Sequence, residues 1–231
     1  MYTQYAGALR RSPLFRDISD DNMYSMLSCI RPRIKRCERD NILAIEGDRM
    51  EGVHILLSGT VTIAKETAGG KRVILSVLRS GSMFGEMAAF TREGTWPATV
   101  LCTEDCEILL LPVHSIVGMC SHGCEGHRVM IVNMLRILAE KAIGLSRRVE
   151  YLSIKTIRGK IARLLMDLHE KTESNYVRVH MNRNEMADFL GVARPSLSRE
   201  LSNMQNDGLI EYIGKEFKLK ELEALTEIMY N

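Results

Sequence analysis

No stretch of this 231-residue chain approaches the roughly 20 consecutive apolar residues that a membrane-spanning helix needs. The N-terminus, MYTQYAGALRR, lacks the apolar centre of a secretory signal. Cytoplasmic residence is therefore expected. In that reducing setting the six cysteines are read as thiols, metal ligands or redox sensors rather than structural disulfides. Net charge is also nearly absent, since 31 Lys and Arg oppose 29 Asp and Glu for a formal charge of +2. From Lys155 onward the balance is 12 against 12. A broad polycationic surface for nucleic acid is thereby excluded, so any such affinity has to come from locally placed arginines and to weaken with salt. Nor does the chain offer a nucleophile, base and orienting group in one pattern: His54, His114, His169 and His180 are scattered, and no enzyme is expected. What is present is ordinary for soluble proteins, 45% hydrophobic and 26% charged residues, in a length that allows two domains with real cores.

The most informative segment is 182–208, NRNEMADFLGVARPSLSRELSNMQNDG. Asn182 suits a helix N-cap, with Glu185 three residues on in the reciprocal position. Met186, Phe189 and Leu190 form an apolar face that Gly191 ends. Pro195 fits the first turn of a second helix. Leu197, Leu201 and Met204 make its buried stripe, and Gly208 stops it. Arg194, Ser196, Ser198, Arg199 and Ser202 are left on or near the outward face, with Arg183 and Arg178 in or beside the motif. A helix presenting such residues from its N-terminal end is how a helix-turn-helix enters the major groove of double-stranded DNA. Residues 209–219, LIEYIGKEFKL, alternate around Gly214 as a wing hairpin would, and residues 154–168 form an amphipathic supporting helix.

A neutral DNA-binding module needs a second copy. Ile131, Leu135, Leu138, Ala142, Leu145, Val149 and Leu152 recur at spacings of 4, 3, 4, 3, 4 and 3 in a stretch without proline. This is a heptad seam for a homodimer on a palindromic site, although part of it could pack on the chain's own N-terminal half. That half, from about 41 to 111, consists of short apolar runs (NILAI, VHILLSGTVTIAK, RVILSVL, CEILLLP) broken by glycines, the pattern of a jelly roll or barrel. The expected class is α+β: a β-roll sensor domain with a helical lead (1–115), a dimerisation helix (116–153) and a winged helix-turn-helix (154–231).

This order of parts, together with EGD at 46–48, HILLSGTV at 54–61, GSMFGEMAAF at 81–90 and RPSLSRE at 194–200, resembles the catabolite-activator and fumarate–nitrate-reduction regulators, the CRP/FNR superfamily, along essentially the whole chain. The resemblance implies a cyclic-nucleotide-binding-like domain that controls a sequence-specific transcription regulator, activator or repressor. Family activators touch RNA polymerase through surface loops. Family recognition positions fall on Arg194, Pro195 and Arg199. Arg199 matches a near-universal arginine suited to guanine, and Pro195 replaces a base-reading glutamate, so a TGA-type half-site is only the nearest expectation. The family's phosphate cassette begins at Gly85 and Glu86. Eleven residues after the glycine, where cyclic-nucleotide binders carry Arg-Ser, stand Trp96 and Pro97. The adenine-binding pair of the dimer helix corresponds to Leu145 and Ser146, of which only the serine is retained. These losses argue against cyclic AMP, because a buried phosphate would lack its cation. Trp96 is either the wall of a pocket for another small-molecule effector or a core residue.

Cys29 and Cys37 are too few for the N-terminal iron–sulfur site of the oxygen-sensing branch. Cys120, His122, Cys124 and His127 put four soft ligands into eight residues before the dimer helix, with Cys102 and Cys106 nearby in sequence. Such a cluster could hold zinc, an iron–sulfur centre or haem iron, or form a reversible disulfide, making the protein a gas or redox sensor. Plain thiols, and a constitutive DNA binder with a vestigial sensor domain, are the competing readings.

Overall fold

In the first half of the chain, the short apolar runs fold as antiparallel strands in two four-stranded sheets. The computed structural model describes all residues except 1, 68, 71, 119–123 and 231. The chain divides into two compact units, Met1–Glu140 and Lys141–Asn231.

In the first unit, two short lead helices, α1 (Ala6–Arg11) and α2 (Asp20–Ile30), precede the strands β1 (Arg33–Cys37), β2 (Ile42–Ala44), β3 (Gly52–Ser58), β4 (Thr60–Glu66), β5 (Arg72–Arg79), β6 (Met83–Phe84), β7 (Thr99–Cys102) and β8 (Cys106–Pro112). One sheet has the order β1-β8-β3-β6 and the other β2-β7-β4-β5. The pairing nests inward, β1 with β8, β2 with β7, β3 with β6 and β4 with β5, which is a jelly roll. Helix α3 (Glu86–Ala89) follows β6, and α4 (Val113–Val117) follows β8.

Strand β3 is buried from Gly52 to Leu57 because both of its faces are covered. Val53, Ile55 and Leu57 join Leu9, Leu14, Met26 and Leu27 of the helical lead. Met130, Met134 and Ile137 of the long helix α5 (Glu125–Ser153) close the same core. Leu56 instead faces the space between the sheets, with Val61, Phe84, Trp96, Val100 and Ile108.

Strands β1, β6 and β7 are not signalled by the apolar runs. β1 reads RIKRC and is held at the sheet edge partly by charge: Arg33 and Lys35 pair with Glu51 at 2.8 and 3.2 Å, and Arg36 with Glu107 at 3.1 Å. β6 is two residues long, too short to show a period.

In the second unit, α6 (Ile157–Thr172) starts later than Ile154. Thr156 adopts extended backbone and its hydroxyl accepts the Gly159 N–H at 3.0 Å, which sets the helix start there. Strand β9 (Tyr176–Arg178), helices α7 (Arg183–Leu190) and α8 (Arg194–Asn206), the hairpin β10 (Ile210–Ile213) and β11 (Glu216–Leu219), and α9 (Leu222–Tyr230) complete it. The expected wing gains a third strand, in the order β10-β11-β9. Ile161, Leu165, Leu190, Leu197, Leu201, Met204, Ile210, Phe217 and Leu225 are buried in one core. No helix among the described residues is long and apolar enough to cross a membrane.

Candidate functional site

The two helices of the motif are set by local chemistry. Asn182 Oδ1 accepts the N–H groups of Asn184 and Glu185 at 2.9 and 3.0 Å, while Glu185 Oε2 accepts the Asn182 N–H at 2.6 Å, a complete capping box. Gly191 ends α7 at φ +64°, a left-handed conformation that costs glycine little. Its neighbour Val192 donates back to the Ala187 carbonyl at 3.0 Å, which closes the helix end. The ammonium of Lys160 is buried and donates to the Leu190 carbonyl at 2.9 Å, placing a cation at the negative end of α7.

Helix α8 then begins with Arg194 and Pro195. Leu197, Leu201 and Met204 are fully buried, which fixes the rotation of the helix about its axis. Arg158 of α6 pairs with Glu200 midway along α8 at 2.5 Å and with Asp207 just past its end at 2.8 Å. Arg194, Ser198, Arg199 and Ser202 are exposed, and Ser196 is half-buried. Among the described residues neither Arg194 nor Arg199 has an ion-pair partner, so two guanidinium forks face outward from the first half of a rigidly seated helix.

Arg183 occupies a different place. Its guanidinium lies 5.0 Å over the Tyr212 ring and 5.2 Å over the Phe217 ring, and it donates to the Gly214 carbonyl at 2.9 Å. It fastens the wing to α7, a structural task that sequence reasoning missed because the partner rings lie about thirty residues away. Arg178 pairs with Glu216 across β9 and β11 at 3.3 Å.

In the β-roll, Gly85 sits at φ +82° at the start of α3. A Cβ there would come within 2.6 Å of Met50 Cε and 3.4 Å of Trp96 Cη2. The indole of Trp96 is therefore laid against the glycine, only 7% exposed. Its ring is 4.9 Å from that of His54 and 6.1 Å from Phe84, and Phe84 stacks on His54 at 5.3 Å. Burial, together with nearby Lys35, pushes the His54 pKa down to about 4, so its imidazole is neutral near pH 7. Glu86 is buried and Pro97 is exposed. Trp96 is buried between the sheets with Leu56, Phe84, Val100 and Ile108. The positions at which the resemblance expects a cation and a hydroxyl offer an indole and a pyrrolidine, and the indole lies against Gly85. Leu145 and Ser146 are exposed on the part of α5 that belongs to the second unit.

Helix α5 shows two apolar faces. Met130, Met134 and Ile137 are buried in the first unit, with Leu138 half-buried beside them. Ile131 is also half-buried, and Ala142 is exposed. Along the remaining seam Leu135 is 62% exposed, Leu145 52%, Val149 66% and Leu152 49%. A row of large apolar side chains in water is the mark of an interaction face.

Among the cluster expected to hold a metal, Cys120 and His122 lie outside the described residues. His127 is buried, with Nε2 2.9 Å from the Ile116 carbonyl. Cys124 lies instead beside Cys29, Sγ to Sγ 3.8 Å. Among the described residues no group of three or more His, Cys, Asp or Glu side chains is placed to hold a metal ion.

Comparison with known proteins agrees with this geometry. Residues 34–122 match the cyclic nucleotide-binding domain family, and residues 159–228 match the Crp-like helix-turn-helix domain family. The chain is 25% identical over 188 residues to the cAMP-activated global transcriptional regulator Vfr of Pseudomonas aeruginosa, covering 78% of this chain and 86% of that one. It is 23% identical over 224 residues to the cyclic AMP receptor protein of Thermus thermophilus, covering 96% and 99%. The crystal structure of the Thermus thermophilus catabolite activator protein has the same fold, with a TM-score of 0.55 at 22% identity over 95% of this chain and 99% of that one. With a jelly roll of the cyclic-nucleotide-binding kind, a long helix and a winged helix-turn-helix in that order, the chain belongs to the CRP/FNR family of DNA-binding transcription regulators.

Proposed function

We propose that the protein acts as a homodimer that reads a palindromic duplex through α8, joined along the exposed seam of α5. The observation that carries the reading is the outward face of α8, where Arg194, Ser198 and Arg199 are exposed while the opposite stripe is completely buried. Arginine forks suit the O6 and N7 acceptors of guanine, and the serine hydroxyls suit phosphate or base edges. Four half-exposed apolar residues on α5 support the two-fold partner, because a near-neutral module gains affinity by engaging two half-sites at once. The β-roll acts as the sensor, and its input is not a cyclic nucleotide held between Gly85 and Pro97, since Trp96 and Pro97 offer its phosphate neither a cation nor a hydroxyl.

The test compares binding of the full chain to a duplex carrying inverted TGA-type half-sites and to a scrambled duplex of equal length and salt. Arg199→Ala should cost about 1–3 kcal/mol on the first and little on the second. Equal losses on both would reduce Arg199 to a phosphate contact and remove base readout from this position.

A further inference from the structure

We propose that Cys29 and Cys124 form a redox-active dithiol, a modification site at which a hydroperoxide converts two thiols into one disulfide. Cys29 is the next-to-last residue of α2 and is exposed. Cys124 immediately precedes α5, where its carbonyl accepts the N–H groups of His127 and Arg128 at 3.1 and 3.4 Å, and it is half-buried. Their sulfurs are in van der Waals contact at 3.8 Å. A disulfide needs about 2.05 Å, so the two sulfurs have to close by about 1.8 Å.

The backbones that carry the pair are held together independently of the sulfurs. Gly126 lies so close to α2 that a Cβ on it would sit 3.0 Å from the Asn22 carbonyl oxygen and 3.3 Å from Ile18 Cγ2. The start of α5, next to Cys124, is thus packed against the start of the helix that carries Cys29. The remaining described cysteines provide the contrast. Cys37 faces Cys106 across β1 and β8, and Cys102 lies beside both. Cys102 and Cys106 are buried, and burial raises both thiols above their ordinary range, so they stay protonated and poorly nucleophilic.

Cys29, the more accessible sulfur, attacks the hydroperoxide. The O–O bond breaks, one oxygen stays on sulfur as a sulfenic acid, and water (or the alcohol) leaves. The Cys124 sulfur then attacks the sulfenic sulfur, the S–S bond forms, and water departs. Two electrons pass from the thiols to the peroxide, and the two thiol hydrogens leave in the products. The cross-link ties the end of α2 to the residue just before α5. This chemistry is independent of what the second unit binds.

The experiment treats the reduced full chain with hydrogen peroxide in small stoichiometric excess. Remaining thiols are then alkylated, and the chain is digested without reductant for peptide mass analysis. The expected result is a Cys29–Cys124 cross-linked peptide, loss of two titratable thiols and two hydrogens per chain, and full reversal by dithiothreitol. Cys124→Ser should stop the reaction at a sulfenic acid on Cys29 that dimedone traps, and Cys29→Ser should abolish the two-thiol loss. A cross-link from Cys124 to Cys120, a disulfide between chains, or oxidation spread over Cys37, Cys102 and Cys106 before Cys29 reacts would each overturn the proposal.

Discussion

Replacing Leu145 by aspartate probes the exposed seam of α5 most sharply. Leu135, Leu145, Val149 and Leu152 are each about half exposed, at 62%, 52%, 66% and 49%. Fully burying such a side chain contributes roughly 1.5–3 kcal/mol, so covering the exposed half contributes about 1 kcal/mol for each residue. Leu145→Asp forfeits that in both protomers, about 2 kcal/mol in all. It also moves two unpaired carboxylates toward an apolar interface, where desolvation costs several kcal/mol for each ion. The sum is about 5 kcal/mol or more, and at 1.4 kcal/mol per decade this weakens the dimer by over a thousandfold. Sedimentation equilibrium of the full chain at micromolar concentration should give a dimer for the wild type and a monomer for the variant. Gly144→Asp is the control, because a Cβ at Gly144 meets nothing within 4 Å and the position lies off the seam. It should remain dimeric. A Leu145→Asp protein that sediments as a stable dimer would refute the assignment of this face.

Two further outcomes concern stability. Asn182→Ala removes the capping box at the start of α7 and should cost about 1 kcal/mol, read as a lower urea midpoint for the second unit. An unchanged midpoint would mean that the cap is not limiting. His54 is held neutral, its pKa depressed from 6.5 to about 4, so between these values the unfolded chain binds a proton that the folded one refuses. The stability that follows is complete above about pH 6.5 and is lost as pH falls toward 4, by about 3 kcal/mol at most. Urea midpoints measured across that window should fall for the wild type and flatten for His54→Phe. Identical slopes would contradict the burial-driven shift.

The helix-turn-helix was legible because each of its signals is local. Asn182 with Glu185, Gly191, Pro195 and the stripe of Leu197, Leu201 and Met204 lie within a few residues of the boundaries and faces that they set. The apolar seam of α5 was legible as a spacing, but the spacing does not say which apolar face the chain covers itself. The structure divides α5 between Met130, Met134 and Ile137, which are buried in the first unit, and a separate exposed row. β1 was illegible because its side chains are mostly basic and it is held at an edge partly by ion pairs, which leave no apolar period. Long-range placements were also hidden. Arg183 over Tyr212 and Phe217, Trp96 against Gly85, and Cys29 beside Cys124 all depend on tertiary packing between segments. Of these, Trp96 left a trace in the sequence, standing where the family resemblance leads one to expect an arginine, while its packing on His54 and Phe84 did not.

The most direct test of the central claim is selection of bound duplexes from a random library by the full chain, followed by sequencing. The account predicts an inverted repeat with half-site centres roughly 10–10.5 base pairs apart, one turn of the duplex, and loss of that paired pattern with Leu145→Asp. Enrichment of a single unrepeated site by the wild type, or of no site at all, would contradict two recognition helices acting together across one dimer.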